Sequence, residues 1–293
     1  MGGKPMSNKK KFIIKIILLT VVVLLLSVLF FIANQRVIVI NDYQLKSNKV
    51  TDCVKIAIIS DLHNTNYAND NIIPEKVAET NPDIITILGD IIDERSGEIE
   101  HTINAIKQLP QIAPTYFILG NHDTLCSSYD KFIKAITESG VIFLDDQIED
   151  ITIKGNKLSM LGLTSYSNGE YETPAYTQLM NDFCKRDNYK ILLCHYPEYT
   201  YYFFQRDKYY VYDFDLMLSG HTHGGAIQIP FIGGFYAPEQ GLLPKYSKGL
   251  YFIKENNKNP FNMLISAGIG NDDKTFRLNN FPEVTTVTIS NSD

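Results

Sequence analysis

Three short, β-branched runs recur at helix-length intervals, and each stops at a polar residue: "VKIAIIS" at 54–60, "DIITILG" at 83–89 and "PTYFILG" at 114–120. Uninterrupted apolar runs of this length suit strands buried on both faces. Helical stretches are expected between and after them, near 73–80, 98–108 and 128–138, the last ending at Gly140. This alternation constrains the region to α/β units whose strands share a sheet.

The rhythm changes beyond Gly140. "VIFLDD", "IEDITIKGNKLSMLGL", "NYKILLCH" and "FDLMLSG" follow at shorter spacings, with "KGNK" as a hairpin turn. "GLYFIK", "NMLISAG" and "EVTTVTIS" complete a half of the chain richer in directly successive strands. Two packed sheets with helices outside them is the architecture this order implies.

The N-terminal segment stands apart. Ile16 to Ala33, "IILLTVVVLLLSVLFFIA", is uncharged. At about 1.5 Å per residue it nearly spans a hydrocarbon core of roughly 30 Å. Lys4, Lys9, Lys10, Lys11 and Lys15 precede it, and only Arg36 follows closely. The positive-inside rule places such an N-terminus in the cytoplasm and the remainder outside. A cleaved signal peptide is the rival reading, but no A-x-A-like site follows the run, and no twin arginine precedes it. The expected organisation is a basic tail (1–11), a transmembrane anchor (12–34), a juxtamembrane segment with a first strand in "RVIVI" (35–53) and a catalytic domain (54–293).

Bulk properties narrow the function. The chain has 293 residues, 44% apolar and 20% charged, enough for a large folded core. A net charge of −6 argues against a nucleic-acid partner. It leaves an anionic substrate open, because bound cations reverse a local field. Cys53, Cys126, Cys184 and Cys194 form no C-x-x-C pair; three disulfide pairings and free thiols all remain open.

The chemistry lies where the strands end. Asp61-Leu62-His63 follows the first run, Asp90 the second and Asn121-His122-Asp123 the third; His195 follows "KILLC", and His221 and His223 follow "LMLS". Ligands of open α/β sheets bind at the carboxyl ends of strands, so these residues should converge. A lone Gly-Asp or Gly-Asn is usually a turn, and a lone histidine usually structural. Five strand ends all carrying Asp, Asn or His are hard to obtain from turn chemistry. His101, in a helix with acidic neighbours, is the remaining histidine and reads as a solvated surface residue. Gly89, Gly120 and Gly220 read as positions where the chain turns sharply off a strand and a Cβ would clash. The aromatic stretch from Tyr196 to Phe214 reads as packing against a sheet, with a lip for an acyl chain or membrane as the alternative.

"DLH" at 61–63, "GD" at 89–90, "GNHD" at 120–123, His195 and "GHTH" at 220–223 together resemble the calcineurin-like metallophosphoesterase superfamily, in that family's order, over about Lys55 to Ile289. The resemblance implies a four-layer αββα sandwich with two central mixed sheets. It implies one metal held by Asp61, His63 and His223, another by Asn121, His195 and His221, and Asp90 bridging them. Imidazole and oxygen ligands without thiolate suit manganese, with iron, zinc or magnesium as alternatives. Two such ions activate a bridging water and clamp a phosphate in line. His122 resembles the family's general acid, and Asp123 is expected to orient its imidazole and raise its pKa.

"GGFYAPEQGLLPKYSKGLY" and "FRLNNFPEVTTVTI" are similar to a bacterial, membrane-anchored branch, some of whose members act on UDP-2,3-diacylglucosamine or related phosphodiesters. Relatives often carry arginine where Ala267 stands here. The implied function is a dinuclear phosphohydrolase acting on a phosphoester or pyrophosphate, lipid-linked or from the cell envelope. A phosphoprotein phosphatase and a non-catalytic scaffold of the same fold are the alternatives.

Overall fold

The computed structural model describes residues 8–94, 98–164, 174–200, 212–254, 259–271 and 276–292. A long helix, α1 (Asn8–Arg36), leads into β1 (Val39–Lys46) and β2 (Val54–Ile59). Then come α2 (Ile72–Glu79), β3 (Ile84–Ile87), α3 (Glu100–Ile106), β4 (Thr115–Phe117), α4 (Tyr129–Glu138) and β5 (Ile142–Phe143). β6 (Gln147–Ile153), β7 (Asn156–Leu163), α5 (Pro174–Cys184), β8 (Tyr189–Cys194) and β9 (Leu216–Ser219) follow. Four two-residue strands, β10 (Gln228–Ile229), β11 (Gly233–Gly234), β12 (Tyr236–Ala237) and β13 (Gly241–Leu242), precede β14 (Gly249–Ile253), β15 (Phe261–Ile265) and β16 (Glu283–Ser290).

Two six-stranded mixed sheets form the centre, in the orders β1-β16-β2-β3-β4-β5 and β14-β15-β9-β8-β7-β6. β2 to β5 are parallel, as α/β units require, and β16 runs antiparallel to β2. The alternation of side chains along each strand divides the core into three layers. Between the sheets, Ile56 and Ile58 of β2 pack in one cluster with Ile191 and Leu193 of β8 and with Leu216 and Leu218 of β9. Ala57 and Ile59 point the other way, toward Ile73 and Val77 of α2 and Phe132 and Ile136 of α4. Leu192 and Met217 cover the outer face of the second sheet with Met180 and Phe183 of α5. The layers are therefore helix, sheet, sheet, helix, as expected.

The "KGNK" turn is confirmed: Ile153 pairs with Asn156, and Lys154 and Gly155 both take positive φ, the conformation of a tight two-residue hairpin. The first strand differs from expectation. α1 continues through Arg36, and the strand is Val39–Lys46, paired in parallel with β16. β-branched residues at 37–40 signalled a strand, but the helix runs on because its last turn is held by tertiary contacts. Asn34 Oδ1 accepts the Asn280 N–H (2.9 Å), and Gln35 Oε1 accepts the Arg277 N–H (3.1 Å). All four cysteines are free thiols.

Candidate metal centre

The carboxyl ends of β2, β3, β4, β8 and β9 bring the predicted residues together. One ligand atom from each of Asp61, His63 and His223 falls within 4.8 Å of the others, and Asp90, His195 and His221 do the same. Asp90 Oδ2 lies 3.1 Å from His195 Nε2 and 3.8 Å from His63 Nε2, so its carboxylate stands between the two groups. His223 Nε2 is 3.8 Å from Asp61 Oδ1. Asn121 contributes a buried, unpaired Oδ1.

The backbone is bent to present these side chains. Asp61, His63, Asp90, His221 and His223 all adopt positive φ, between 46° and 70°. Such conformations are uncommon for residues other than glycine and accumulate at functional sites. Cross-strand contacts hold them: the Asp61 N–H donates to Gly89 O (3.0 Å) and the His63 N–H to Asp90 O (3.0 Å). The His221 N–H donates to Asp61 Oδ1 (3.0 Å) and the His122 N–H to Asp90 Oδ1 (2.7 Å). Gly120 and Gly220 leave no room for a Cβ, as expected. A Cβ on Gly120 would lie 2.1 Å from Asp90 Oδ1, and one on Gly220 2.6 Å from Asp61 Oδ2. Any side chain there would displace a candidate ligand.

Second contacts fix the imidazoles. His63 Nδ1–H donates to Asp93 Oδ2 (3.0 Å), and His195 Nδ1–H donates to the Leu88 carbonyl (2.6 Å). In each ring this leaves Nε2 facing inward, the arrangement typical of metal-binding histidines. The His221 ring lies against Tyr196, with centroids 4.3 Å apart.

Do these residues fit metal ions? His63 Nε2, His221 Nε2 and Asn121 Oδ1 are buried without a hydrogen-bond partner, and His195 Nε2 meets only the Asp90 carboxylate. Orphaned polar atoms in such number are costly in a folded interior. Lone-pair donors facing a buried carboxylate repel one another unless a proton or a cation lies among them. The donor set and its convergence fit divalent cations.

The electrostatics describe the same need. Burial, with the neighbouring Asp90 charge, raises the Asp61 pKa. Burial also disfavours ionisation of Asp90, but His195 and His63 outweigh it and hold the carboxyl well below the usual range. Against burial, the Asp90 and Asp61 carboxylates push His195 up to about 10. Burial and the nearby His195 push His221 down to about 3.

Asp123 is not where its sequence position suggested. Its Oδ2 accepts the N–H groups of Asp90 and Gly120 (both 2.8 Å), and its Oδ1 those of Ile91 (2.8 Å) and Ile92 (3.0 Å). It ties the loop after β3 to the loop after β4 and makes no hydrogen bond to the His122 ring. The carboxylate near that ring is Asp93, 3.6 Å from His122 Nδ1. Asp93 was missed in the sequence; its only signal was a second acid three residues after Asp90.

His101 pairs with Asp70 at 2.7 Å on the surface, as expected. Residues 201–211 of the aromatic stretch lie outside the described residues. Of the remainder, Tyr199 and Phe214 are buried in the outer core of the second sheet. Ala267 is buried. Arg277 is buried too and donates to Gly268 O and Gly270 O, behind Asp61.

A calcineurin-like phosphoesterase family model matches residues 54–225. The uncharacterized metallophosphoesterase YkoQ of Bacillus subtilis (strain 168) is 28% identical over 243 residues, 79% of this chain and 82% of that protein. The phosphodiesterase YaeI of Escherichia coli (strain K12) is 26% identical over 237 residues, 79% of this chain and 80% of that protein. A transmembrane protein with metallophosphoesterase domain from Danio rerio is 22% identical over 251 residues, 80% of this chain and 53% of that protein.

Proposed function

The chain belongs to the calcineurin-like phosphoesterase family and is a metal-dependent phosphoester hydrolase, and we propose that it works through a dinuclear centre on a substrate at the membrane. The observation that carries the dinuclear reading is the pair of ligand groups meeting at Asp90, with the inward nitrogens of His63 and His221 left without a hydrogen-bond partner in the protein. Asp61, His63 and His223 hold one cation; Asn121, His195 and His221 hold the other; Asp90 reaches both. Manganese, iron or zinc suits this imidazole and oxygen set better than a soft metal, and manganese is the ion used in the test below. Divalent cations held there supply Lewis acidity that activates water and neutralises phosphate oxygens.

The protein's own residues do the rest. Leu88 O and Asp93 keep His195 and His63 in the tautomers that face inward. His122 is a partly exposed imidazole on the loop after β4, its side chain 25% accessible. It is free to protonate a leaving oxygen, with Asp93 beside it to stabilise the imidazolium. The E. coli relative's description as a phosphodiesterase supports a phosphodiester substrate.

Location supports a lipid-linked or cell-envelope substrate. α1 is long and apolar enough to cross a membrane. Its final turn is bonded into the domain through Asn34, Gln35 and Arg36, contacts suited to a retained anchor. With lysines clustered before it, the N-terminus (1–11) is cytoplasmic, 12–34 is the anchor, and the domain from 54 onward, with its approach at 35–53, lies outside. The test uses the full chain in detergent, stripped of metal and reloaded with manganese, on bis-aryl and mono-aryl phosphates. Activity that survives chelation, or that is unchanged in Asp90→Asn, overturns the reading.

A further inference from the structure

The four short strands after the His223–Gly225 turn carry an unusual surface. Phe231 is fully exposed, and Ile232, Leu242 and Leu243 are each more than half exposed. No charged residue stands between His223 and Glu239. Two-residue ladders bury little, so these side chains do nothing for the hairpins themselves. Large apolar side chains exposed on two hairpins joined through Phe235, whose N–H donates to Ile227 O and whose O accepts from Leu243 N, suit an interaction surface.

Its place beside α1 identifies the partner. The loop from Phe276 to Phe281 packs on the end of that helix: Phe281 meets Phe30 edge-on at 6.2 Å, and Phe276 meets Phe31 at 5.9 Å. Phe30 and Phe31 belong to the uncharged run, some 7–9 Å along the helix axis from Arg36 at about 1.5 Å per residue. The loop therefore reaches the depth at which interfacial side chains sit, roughly 5–10 Å into the headgroup boundary. Phe276 is half exposed there. The same loop is stitched to the hairpins. The Gln228 N–H donates to Leu278 O (3.0 Å), and Asn279 Nδ2 donates to Gln228 O (3.1 Å).

The hairpins are also attached to the metal centre. The Phe235 N–H donates to Gly225 O (3.2 Å), two residues beyond His223. Asn280, whose N–H is capped by Asn34 of α1, donates through Nδ2 to His223 O (2.8 Å). Helix, hairpins and ligand loop thus form one connected unit.

We propose that Phe231, Ile232, Leu242, Leu243 and Phe276 form a second contact with the bilayer that α1 crosses. This seats the His221–Gly225 loop at the lipid surface, so that the substrate is a phosphoester presented at the lipid–water interface. The inference rests on α1 as a membrane anchor and deepens the proposed phosphohydrolase function by naming where its substrate lies.

The chain contains no tryptophan, so a single introduced indole reports depth without background. The full chain carrying Phe231→Trp or Leu243→Trp is reconstituted in phosphatidylcholine–phosphatidylglycerol vesicles, with and without brominated acyl chains. Ile142→Trp, on the edge strand opposite β1, is the control. The expected result is blue-shifted, bromine-quenched emission from the hairpin variants and unquenched emission from the control. Hairpin emission quenched no more than the control overturns the proposal. Blue-shifted but unquenched emission also overturns it, in favour of a second copy or another protein on this face.

Hydrolysis of a soluble aryl phosphate by every variant verifies folding and tests the phosphohydrolase reading separately. Quenching without hydrolysis by any form would sink that reading and leave the docking intact. In Phe231→Ser/Leu243→Ser, turnover of a vesicle-embedded phosphodiester should fall roughly tenfold or more, the scale of one lost apolar side chain. Turnover of the soluble ester should be unchanged. Equal losses on both substrates contradict the proposal.

Discussion

Replacing Asp123 by asparagine separates two accounts of that residue. The carboxylate receives four backbone N–H donors, two on each oxygen, from the loops that carry Asp90 and Asn121. An asparagine keeps one oxygen and turns an NH2 group toward the other pair of donors. Two buried N–H groups lose their acceptor and face a donor instead. At about 1–3 kcal/mol for each orphaned group, the cost is roughly 2–6 kcal/mol. That is a large share of the roughly 5–15 kcal/mol that holds a domain together. The thermal midpoint of the metal-free protein should fall by roughly 4–20 °C, measured by calorimetry in one detergent. Turnover should fall with it, because the Asp90 and Asn121 loops are no longer tied together. If Asp123 instead oriented the His122 imidazole, turnover would drop while the midpoint stayed within a degree or two. That outcome would refute the structural assignment.

Three further outcomes follow from the site. His122→Ala should lower turnover by roughly 10²–10⁴-fold and leave metal content unchanged if, as proposed, this ring supplies a proton rather than a ligand; loss of bound metal on elemental analysis would contradict it. Metal binding should release protons: His195, pushed up to about 10, is protonated in the metal-free protein at neutral pH, and a cation needs its bare Nε2. Affinity should therefore rise as pH rises toward about 10 and weaken as pH falls, with calorimetric heats that depend on the buffer's ionisation enthalpy; buffer-independent heats would contradict this. A chain beginning at Asn41 loses the Asn34–Asn280 and Gln35–Arg277 hydrogen bonds, buried Ile38 and the Val39 and Ile40 pairs of β1, and should be destabilised by more than the roughly 1–3 kcal/mol of those two bonds alone, at about 0.5–1.5 kcal/mol each. An unchanged unfolding midpoint relative to the full chain in the same detergent would argue that these contacts contribute nothing.

How much of this was legible beforehand depends on whether the cause was local. Asp61, Asp90, Asn121, His195, His221 and His223 could be placed together because strand periodicity fixes where a run ends, and strand ends share one edge of a sheet. The left-handed backbone at Asp61, His63 and Asp90 could not be read, since Asp and His tolerate it more readily than most residues but do not require it. Gly120 and Gly220 could be read as positions with no room for a Cβ, but not what fills the space: carboxylates 30 and 159 positions away in the chain. Asp123 misled because adjacency in sequence is not adjacency of side chains: in the tight turn after β4, its carboxylate points back to the backbone while the His122 ring points out. Asp93 went unnoticed for the complementary reason, being distant from His122 in sequence and next to it in space. The first strand was misplaced because the contacts that prolong α1 come from Asn271, Arg277 and Asn280, and the partner of β1 is β16, at the far end of the chain.

The central claim is that two cations lie side by side with Asp90 between them. Electron paramagnetic resonance of the full chain loaded with two equivalents of manganese tests it most directly. A spin-coupled manganese pair, replaced by an isolated-ion signal in Asp90→Asn, is the predicted result. Isolated-ion spectra at full loading of the unaltered protein, or saturation at a single ion per chain, would contradict the account.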